Sequence, residues 1–319
     1  MTVASVGGKW RTIAAWIGLC LIWGSTWMAI KIGLRDLPPI TFAGVRFAIA
    51  AMLLFGIIAL RRLPLPASAA DWRLLVWTGC LNITINYALV FWGEQYLASG
   101  LAALLNATIP LFGLPLAHRY VAGERLTPVK VVGVLLGVLG VGIVCSAELG
   151  GSGAHAFWAS IGIIVASLAG AQGSVLVKAR GGHIEPAVLA GVQMATGCLP
   201  LLAGGFLLEG SAPYHWTAGA LLALGYLAVV GSVIAFLMYY WLIRHTAVTN
   251  VLLIPLVTPL IAVLLGVGLL GEAIGWGTAL GGSSILVGVG LVVFARESSP
   301  LRRWLPQKER GAGGLRPLI

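Results

Sequence analysis

The chain is predicted to be an all-α membrane protein, with ten transmembrane helices arranged as two inverted five-helix repeats. Three observations predict this. Only 9% of its 319 residues are charged and 59% are apolar, against about 25% charged in a soluble domain. Such a chain cannot cover its own surface with polar groups, so lipid must cover it. Second, ten apolar stretches each approach the roughly 20 residues that a helix needs to span a bilayer. They fall near 13–34, 41–60, 74–96, 99–118, 127–147, 156–177, 187–208, 217–243, 248–270 and 274–295. They are apolar all round and too long for the alternating segments of about ten residues that build a membrane β-barrel. Third, the chain contains a copy of itself. "GERLTPVKVVGVLLGVLGVGIV" at 123–144 recurs as "GEAIGWGTALGGSSILVGVGLV" at 271–292, so Gly123, Glu124, Gly133, Gly140 and Gly142 fall on Gly271, Glu272, Gly281, Gly288 and Gly290 at an offset of 148. Upstream, Trp92 and Pro110 fall on Trp241 and Pro259 at an offset of 149, one residue being gained or lost before Gly123. Weak internal symmetry in an apolar chain is the mark of a carrier built from repeats.

Five spans per half is an odd number, so the second half enters the membrane from the opposite side. The expected units are a first repeat over 12–147, a second over 156–295, and a basic tail over 296–319 that is expected to be disordered and to lie near anionic lipid. The net charge of +10 is a topology signal rather than a nucleic-acid signal. With ten spans, all of the 20 lysines and arginines but Lys31, Arg35 and Arg46 fall on one side. The positive-inside rule then places both termini in the cytoplasm, and the expected location is the cell inner membrane.

The elements follow in order. The first apolar run, preceded by Lys9 and Arg11, is too long for a secretory h-region and lacks a small-residue cleavage site, so it is a retained helix. Trp23, Thr26, Trp27 and Ile30 share one face of it. That face is either an aromatic cavity wall or a packing surface. Lys31 and Arg46 lie near the outer ends of helices 1 and 2, where snorkelling to water accounts for both; a cationic vestibule is the alternative. The loop over 61–71 carries Pro64 and Pro66, which keep it extended. Helix 3 carries Asn82 and Asn86 four residues apart and ends at Glu94, the only carboxylate near the candidate cavity. Helix 4 carries Asn106, and helices 4 and 9 contain Pro110, Pro115, Pro255 and Pro259, which give bending points. Helix 5 has glycines every three to four residues, matched in helix 10, so these two helices are expected to pack tightly against each other. "AELGGSGAHA" at 147–156 reads as the linker between the halves. Gln172 lies in helix 6 and Gln193 in helix 7. Tyr226, Tyr239, Tyr240 and Trp241 cluster on helix 8, Tyr239 and Tyr240 pointing in different directions. Carboxamides in hydrocarbon must be paired or face a wet cavity. Glu124 and Glu272 are symmetry mates in the expected first turns of helices 5 and 10, where a carboxylate caps free amides.

The motifs "WGSTWMAIKIGL" at 23–34, "LPPITFAGVRFAIAAMLL" at 37–54, "GLAALLNATIPLF" at 100–112 and "GERL" at 123–126 resemble the EamA family of the drug/metabolite transporter superfamily. The second half matches with "AVTNVLLIPLVTPLIAVLL" at 247–265 and "GE" at 271–272, but its first helix has "AGAQGSVLVKA" where the pattern has "WGSTWMAIKI". The resemblance spans residue 12 to about 295 and implies a ten-helix inverted-repeat carrier with a central cavity lined by helices 1, 3, 4, 6, 8 and 9. It therefore points to Trp23, Trp27, Asn82, Asn86, Asn106, Gln172 and Tyr239 as substrate-binding candidates.

The expected activity is export of small metabolites, amino acids or related solutes, by alternating access. A carrier of anionic metabolites such as nucleotide sugars, using Lys31, Arg46 and Lys178, is the alternative. No ring of repeated polar groups suggests a channel. No mid-span cluster of His, Asp or Glu suggests an enzyme, and no cofactor, metal or nucleic-acid site is expected. Cys20, Cys80, Cys145 and Cys198 all lie inside spans without metal spacing and read as buried apolar side chains. The expected partners are lipid and a small-molecule substrate, with a homodimer left open. With no mid-span Asp or Glu, flux is expected not to depend on an acidic proton relay.

Overall fold

The computed structural model describes residues 3–121, 127–151, 153–245 and 254–294. Its ten helical elements are α1 (Val3–Gly33), α2 (Pro39–Leu60), α3 (Ala69–Glu94), α4 (Ser99–Tyr120), α5 (Pro128–Gly151), α6 (Ala154–Arg180), α7 (Pro186–Glu209), α8 (Ala218–Ala228, continuing through Val229–Ile234 and Ala235–His245), α9 (Ile254–Leu270) and α10 (Trp276–Phe294). Among the described residues eight helices are long and apolar enough to cross a membrane, and two apolar helices are shorter, Val257–Leu270 and Trp276–Leu291. The ninth and tenth expected spans fall on these two, and residues 248–253 of the ninth lie outside the described residues. Residues 271–275 are not helical, and Gly271 sits at φ 70, a backbone conformation that ends α9 and delays α10. Glu124 and the tail lie outside the described residues, so the cap expected of Glu124 does too.

The expected Gly-rich linker is almost entirely helix. α5 continues to Gly151 and α6 begins at Ala154, with Gly153 at φ 85 between them. Ala147, Glu148 and Leu149 are good helix formers, and among the described residues of this stretch Gly153, at positive φ, is the one outside a helix. The 61–71 loop is shorter than expected. Ser68 caps α3 by accepting from the Asp71 amide at 3.0 Å, which starts the helix at Ala69. α4 is broken between Asn106 and Ile109, where Pro110 opens its second segment.

Two long helices are interrupted at matching places. α3 has a π-helical turn over Cys80–Ile85 and α8 has one over Val229–Ile234, the same 149-residue shift that relates Trp92 to Trp241. A π turn inserts one residue into the ladder and frees a carbonyl. Thr84, in the first turn, donates to the Gly197 carbonyl of α7 at 2.8 Å.

The core sits on two helix pairs. α2 packs along α7, and α5 along α10. The α5/α10 contacts are reciprocal. A Cβ placed on Gly140 would lie 2.6 Å from the Gly281 carbonyl oxygen, and one on Gly288 would lie 2.5 Å from that of Gly133. Gly133 and Gly140 are the repeat mates of Gly281 and Gly288, so each mate meets the other's partner, as in a two-fold contact. On the same seam Ser284 donates to the carbonyl of Leu136, its own mate, at 2.9 Å. Other contacts come in matched pairs: α1 packs on α9 and α6 on α4, while α3 packs on α7 and α8 on α2.

Candidate functional site

Of the seven sequence candidates, three converge on one stretch of α6. The Asn82 carboxamide lies against Gly173, where a Cβ would clash with it. Asn86 lies beside Gly170 and donates to the Ala166 carbonyl at 2.8 Å. Asn106, at the break in α4, accepts from the Ser167 hydroxyl at 3.2 Å. Asn86 is buried, whereas Asn82 and Asn106 are half-buried. The small residues of α6 are what let these carboxamides approach its backbone.

Two more candidates meet between α1 and α8. The Trp23 ring lies 5.2 Å from the Tyr239 ring and 5.9 Å from that of Phe236, the latter edge-on. Trp23 Nε1 is buried with no hydrogen-bond partner. Tyr239 faces Ser174 of α6, so the aromatic pair and the carboxamides border the same helix. Trp27 is instead buried in the main core, and its neighbour on the helix face, Thr26, bonds back to the Trp23 carbonyl at 2.7 Å. Gln172 is exposed and joins neither group. Tyr240 meets the Tyr239 ring edge-on, centroids 5.2 Å apart, and its hydroxyl donates to Gln193 at 2.9 Å, while Gln193 donates to Thr78 at 2.6 Å. That chain ties α8, α7 and α3 together.

Charged residues are where the structure departs most from the sequence reading. Arg46 does not snorkel to water; it is 1% exposed. Its guanidinium carbon stands 4.8 Å from the Phe47 ring centroid and 5.0 Å from that of Tyr87. Its Nε donates to the Ser232 hydroxyl at 2.9 Å and one Nη to the Gly231 carbonyl at 3.3 Å, both in the π turn of α8. Weak hydration and a flat face suit arginine to this aromatic setting. Lys31, half-buried, is also engaged by protein. Its ammonium donates to the carbonyls of Glu94 and Leu97, at 2.7 Å each, and so caps the C-terminal end of α3.

Glu272 is not in the first turn of its own helix, which begins at Trp276. It caps a different helix. Its two oxygens accept from the Ser99 amide at 2.9 and 3.0 Å, and Oε2 accepts from the Ser99 hydroxyl at 2.7 Å. Glu209 closes the start of α2 in the same way, accepting from the Ile40 and Thr41 amides and the Thr41 hydroxyl, each at 2.8 Å. Helices α2 and α4 thus begin on carboxylates donated from elsewhere in the chain, which satisfies amides that Pro38 and Ala98, at the N-cap positions, cannot. Substituting Glu272→Gln is expected to cost about 1.5–3 kcal/mol, the range for hydrogen bonds to a charged group, rather than the 0.3–1 kcal/mol of a dipole effect alone. The thermal midpoint of the purified variant reads this directly; no change would mean that Ser99 is capped by water.

Beside Glu272 a cavity of about 310 Å³ opens between the ends of α4, α5, α9 and α10, bordered by Tyr96, Leu101, Val267 and Thr278. Among the described residues no group of three or more His, Cys, Asp or Glu is placed to hold a metal. Sequence reasoning missed Ser99 and Glu209 altogether. A polar residue at the start of one apolar helix and a glutamate at the end of another gave the only signal.

The fold and both halves have relatives. The EamA-like transporter family matches residues 10–146 and again 157–294. The uncharacterized inner membrane transporter YedA of Escherichia coli K12 is 34% identical, over 82% of this chain and 83% of its own. The uncharacterized transporter YoaV of Bacillus subtilis is 25% identical over 87% of this chain and 95% of its own, and the protein PagO of Salmonella typhimurium is 28% identical over 86% and 90%. A solved crystal structure superposes with a TM-score of 0.65 at 19% identity, covering 91% of this chain and 99% of that one, which shows the fold alone. Apolar helices throughout, matched halves and a family match across both of them have one conclusion: the chain is a multi-pass membrane protein and belongs to the EamA-like transporter family.

Proposed function

We propose that this protein is an inner-membrane carrier of ten spans in two inverted repeats, which exports small metabolites, amino acids or related solutes, by alternating access. The observation that carries the reading is the convergence of half-buried Asn82, Asn106 and Tyr239 with Trp23 along α6. Such a lining offers carboxamides for polar head groups and rings for an apolar body. Asn86 and Trp27 shape this wall from behind, and Gln172 lies on an exposed face of the same helix. The names of relatives, inner membrane transporter among them, support the location and the class of activity. The anionic-metabolite alternative loses two of its three cations, since Lys31 and Arg46 are engaged by protein groups.

A comparison of extracellular metabolites from cells with and without the protein tests the reading, followed by exchange of each candidate solute in liposomes holding the purified chain. A carrier shifts at least one small solute in both assays; no shift in either would sink the proposal. Topology is checked separately. Reporter fusions after Arg62 and Arg180 are expected to read cytoplasmic, and fusions within 148–155 periplasmic, as the distribution of lysine and arginine requires. A cytoplasmic signal at 148–155 would remove the inverted arrangement.

A further inference from the structure

We propose that Glu94 is a proton-binding site, and that a proton and the Lys31 ammonium take turns in neutralising its carboxylate. The Glu94 side chain is fully buried, and neither of its oxygens has a hydrogen-bond partner. Three charged groups face it from neighbouring elements: Lys31 of α1, Arg46 of α2, and Glu272 of the segment before α10. Each is occupied. The Lys31 ammonium is bonded to the backbone carbonyls of Glu94 and Leu97 rather than to the carboxylate. Arg46 is bonded into the π turn of α8 through Nε and one Nη, and its other Nη is buried without a hydrogen-bond partner. Glu272 is a like charge engaged by Ser99. Among the described residues, no further charged group of a neighbouring element acts on the carboxylate. α6 places Ile163 and Ala159 against Gly93, its one titratable residue near this end, His155, stacks on Tyr96, and α9 contains no titratable residue.

An ionised carboxylate with no donor and no bonded cation is strongly unfavourable in a low-dielectric interior. A proton removes that charge without needing any further partner. The alternative is within reach of a small movement. If α1 shifts along α3, the ammonium leaves the two carbonyls and meets the carboxylate. The Glu94 O–H bond then breaks, the proton passes to water, and a Glu94–Lys31 ion pair remains. The return movement restores the proton to Glu94 and the ammonium to the carbonyls. One proton is exchanged per cycle and no electrons move. Placed in the carrier proposed above, on which this use of the proton rests, the cycle would couple solute flux to the proton gradient through a carboxylate at the end of a span. The sequence reading singled out Glu94 as the one carboxylate near the cavity but expected flux not to depend on an acidic relay.

The proton itself is the probe. Infrared difference spectra of the lipid-reconstituted protein, taken between mildly acidic and alkaline buffer, should contain the carbonyl stretch of a buried neutral carboxylic acid. That band is expected to vanish in Glu94→Gln and to persist to higher pH in Lys31→Gln, where the competing cation is gone. A neutral amide has the shape and charge of the protonated acid, so Glu94→Gln is expected to keep the parent's thermal midpoint. Should it fail to fold, Glu94→Asp serves instead, its acid band present but displaced. An unchanged band in Glu94→Gln, or an undisplaced one in Glu94→Asp, overturns the proposal, as does a parent without the band. In liposomes, Glu94→Gln should exchange the solute at the parent rate but lose accumulation driven by a proton gradient; loss of exchange, or retained accumulation, would overturn the coupling. A Glu94 band in a protein that moves no solute would sink the carrier reading and leave the proton site standing.

Discussion

Gly140→Ala is expected to destabilise the folded protein by about 3 kcal/mol, at the upper end of what overpacking a well-packed contact costs. The added methyl would sit 2.6 Å from the Gly281 carbonyl oxygen and 2.8 Å from the Ile285 amide nitrogen. Both are backbone atoms of α10, so no side chain can swing aside and the two helices must part. Gly288→Ala meets the Gly133 oxygen at 2.5 Å and the Gly137 nitrogen at 2.6 Å, and a two-fold seam makes its cost nearly equal. Gly142 and its mate Gly290 are the controls, since a Cβ on either meets nothing within 4 Å. Alanine there is expected to be neutral, or to stabilise by about 0.5–1 kcal/mol through helix propensity. Unfolding of the detergent-solubilised variants would measure all four. Clearly unequal losses for Gly140→Ala and Gly288→Ala would contradict the reciprocal packing.

Arg46→Ala is expected to cost about 3–5 kcal/mol, the range for truncating a large buried side chain to alanine. It removes the hydrogen bonds to Ser232 and Gly231, the stacking on Phe47 and Tyr87, and most of the volume of a side chain that is 1% exposed. The informative partner is Arg46→Lys. Lysine keeps the charge but not the flat face or the forked donors, so it should recover less than half of the loss. The comparison is again made by unfolding midpoints. A lysine variant as stable as the parent would mean that charge alone matters at this position and that the aromatic setting is incidental. Because Arg46 holds α2 onto the π turn of α8, a weakened variant should also loosen α8, seen as faster amide exchange around Val229–Ile234.

The site was partly legible. Asn82, Asn86, Trp23 and Tyr239 stand out in a sequence because polar or large aromatic groups are scarce inside apolar spans, and scarcity is visible without a structure. Their partners are not. Asn82 and Asn86, four residues apart on the chain, meet α6 together, whereas Gln172, equally conspicuous, points to an exposed face. The amphipathic pattern that tells inside from outside in a soluble helix is missing, because lipid and protein interior are both apolar.

By itself the sequence determined that the chain is a membrane protein, where its long apolar helices lie to within a few residues, that its halves share one plan, and that α5 and α10 meet through glycines. These follow from composition, length and repetition, which are properties of the chain alone. Only the tertiary structure decided that Glu272 closes the start of α4, that Glu209 closes α2, that Lys31 caps α3, and that Arg46 and Glu94 are buried. Each of these depends on which helix end comes to rest beside another, and residues such as Ser99 and Glu272 are brought together from opposite halves of the chain. In a bundle whose helices are apolar on every side, no periodicity records that choice; packing and the demand that every buried amide find an acceptor make it.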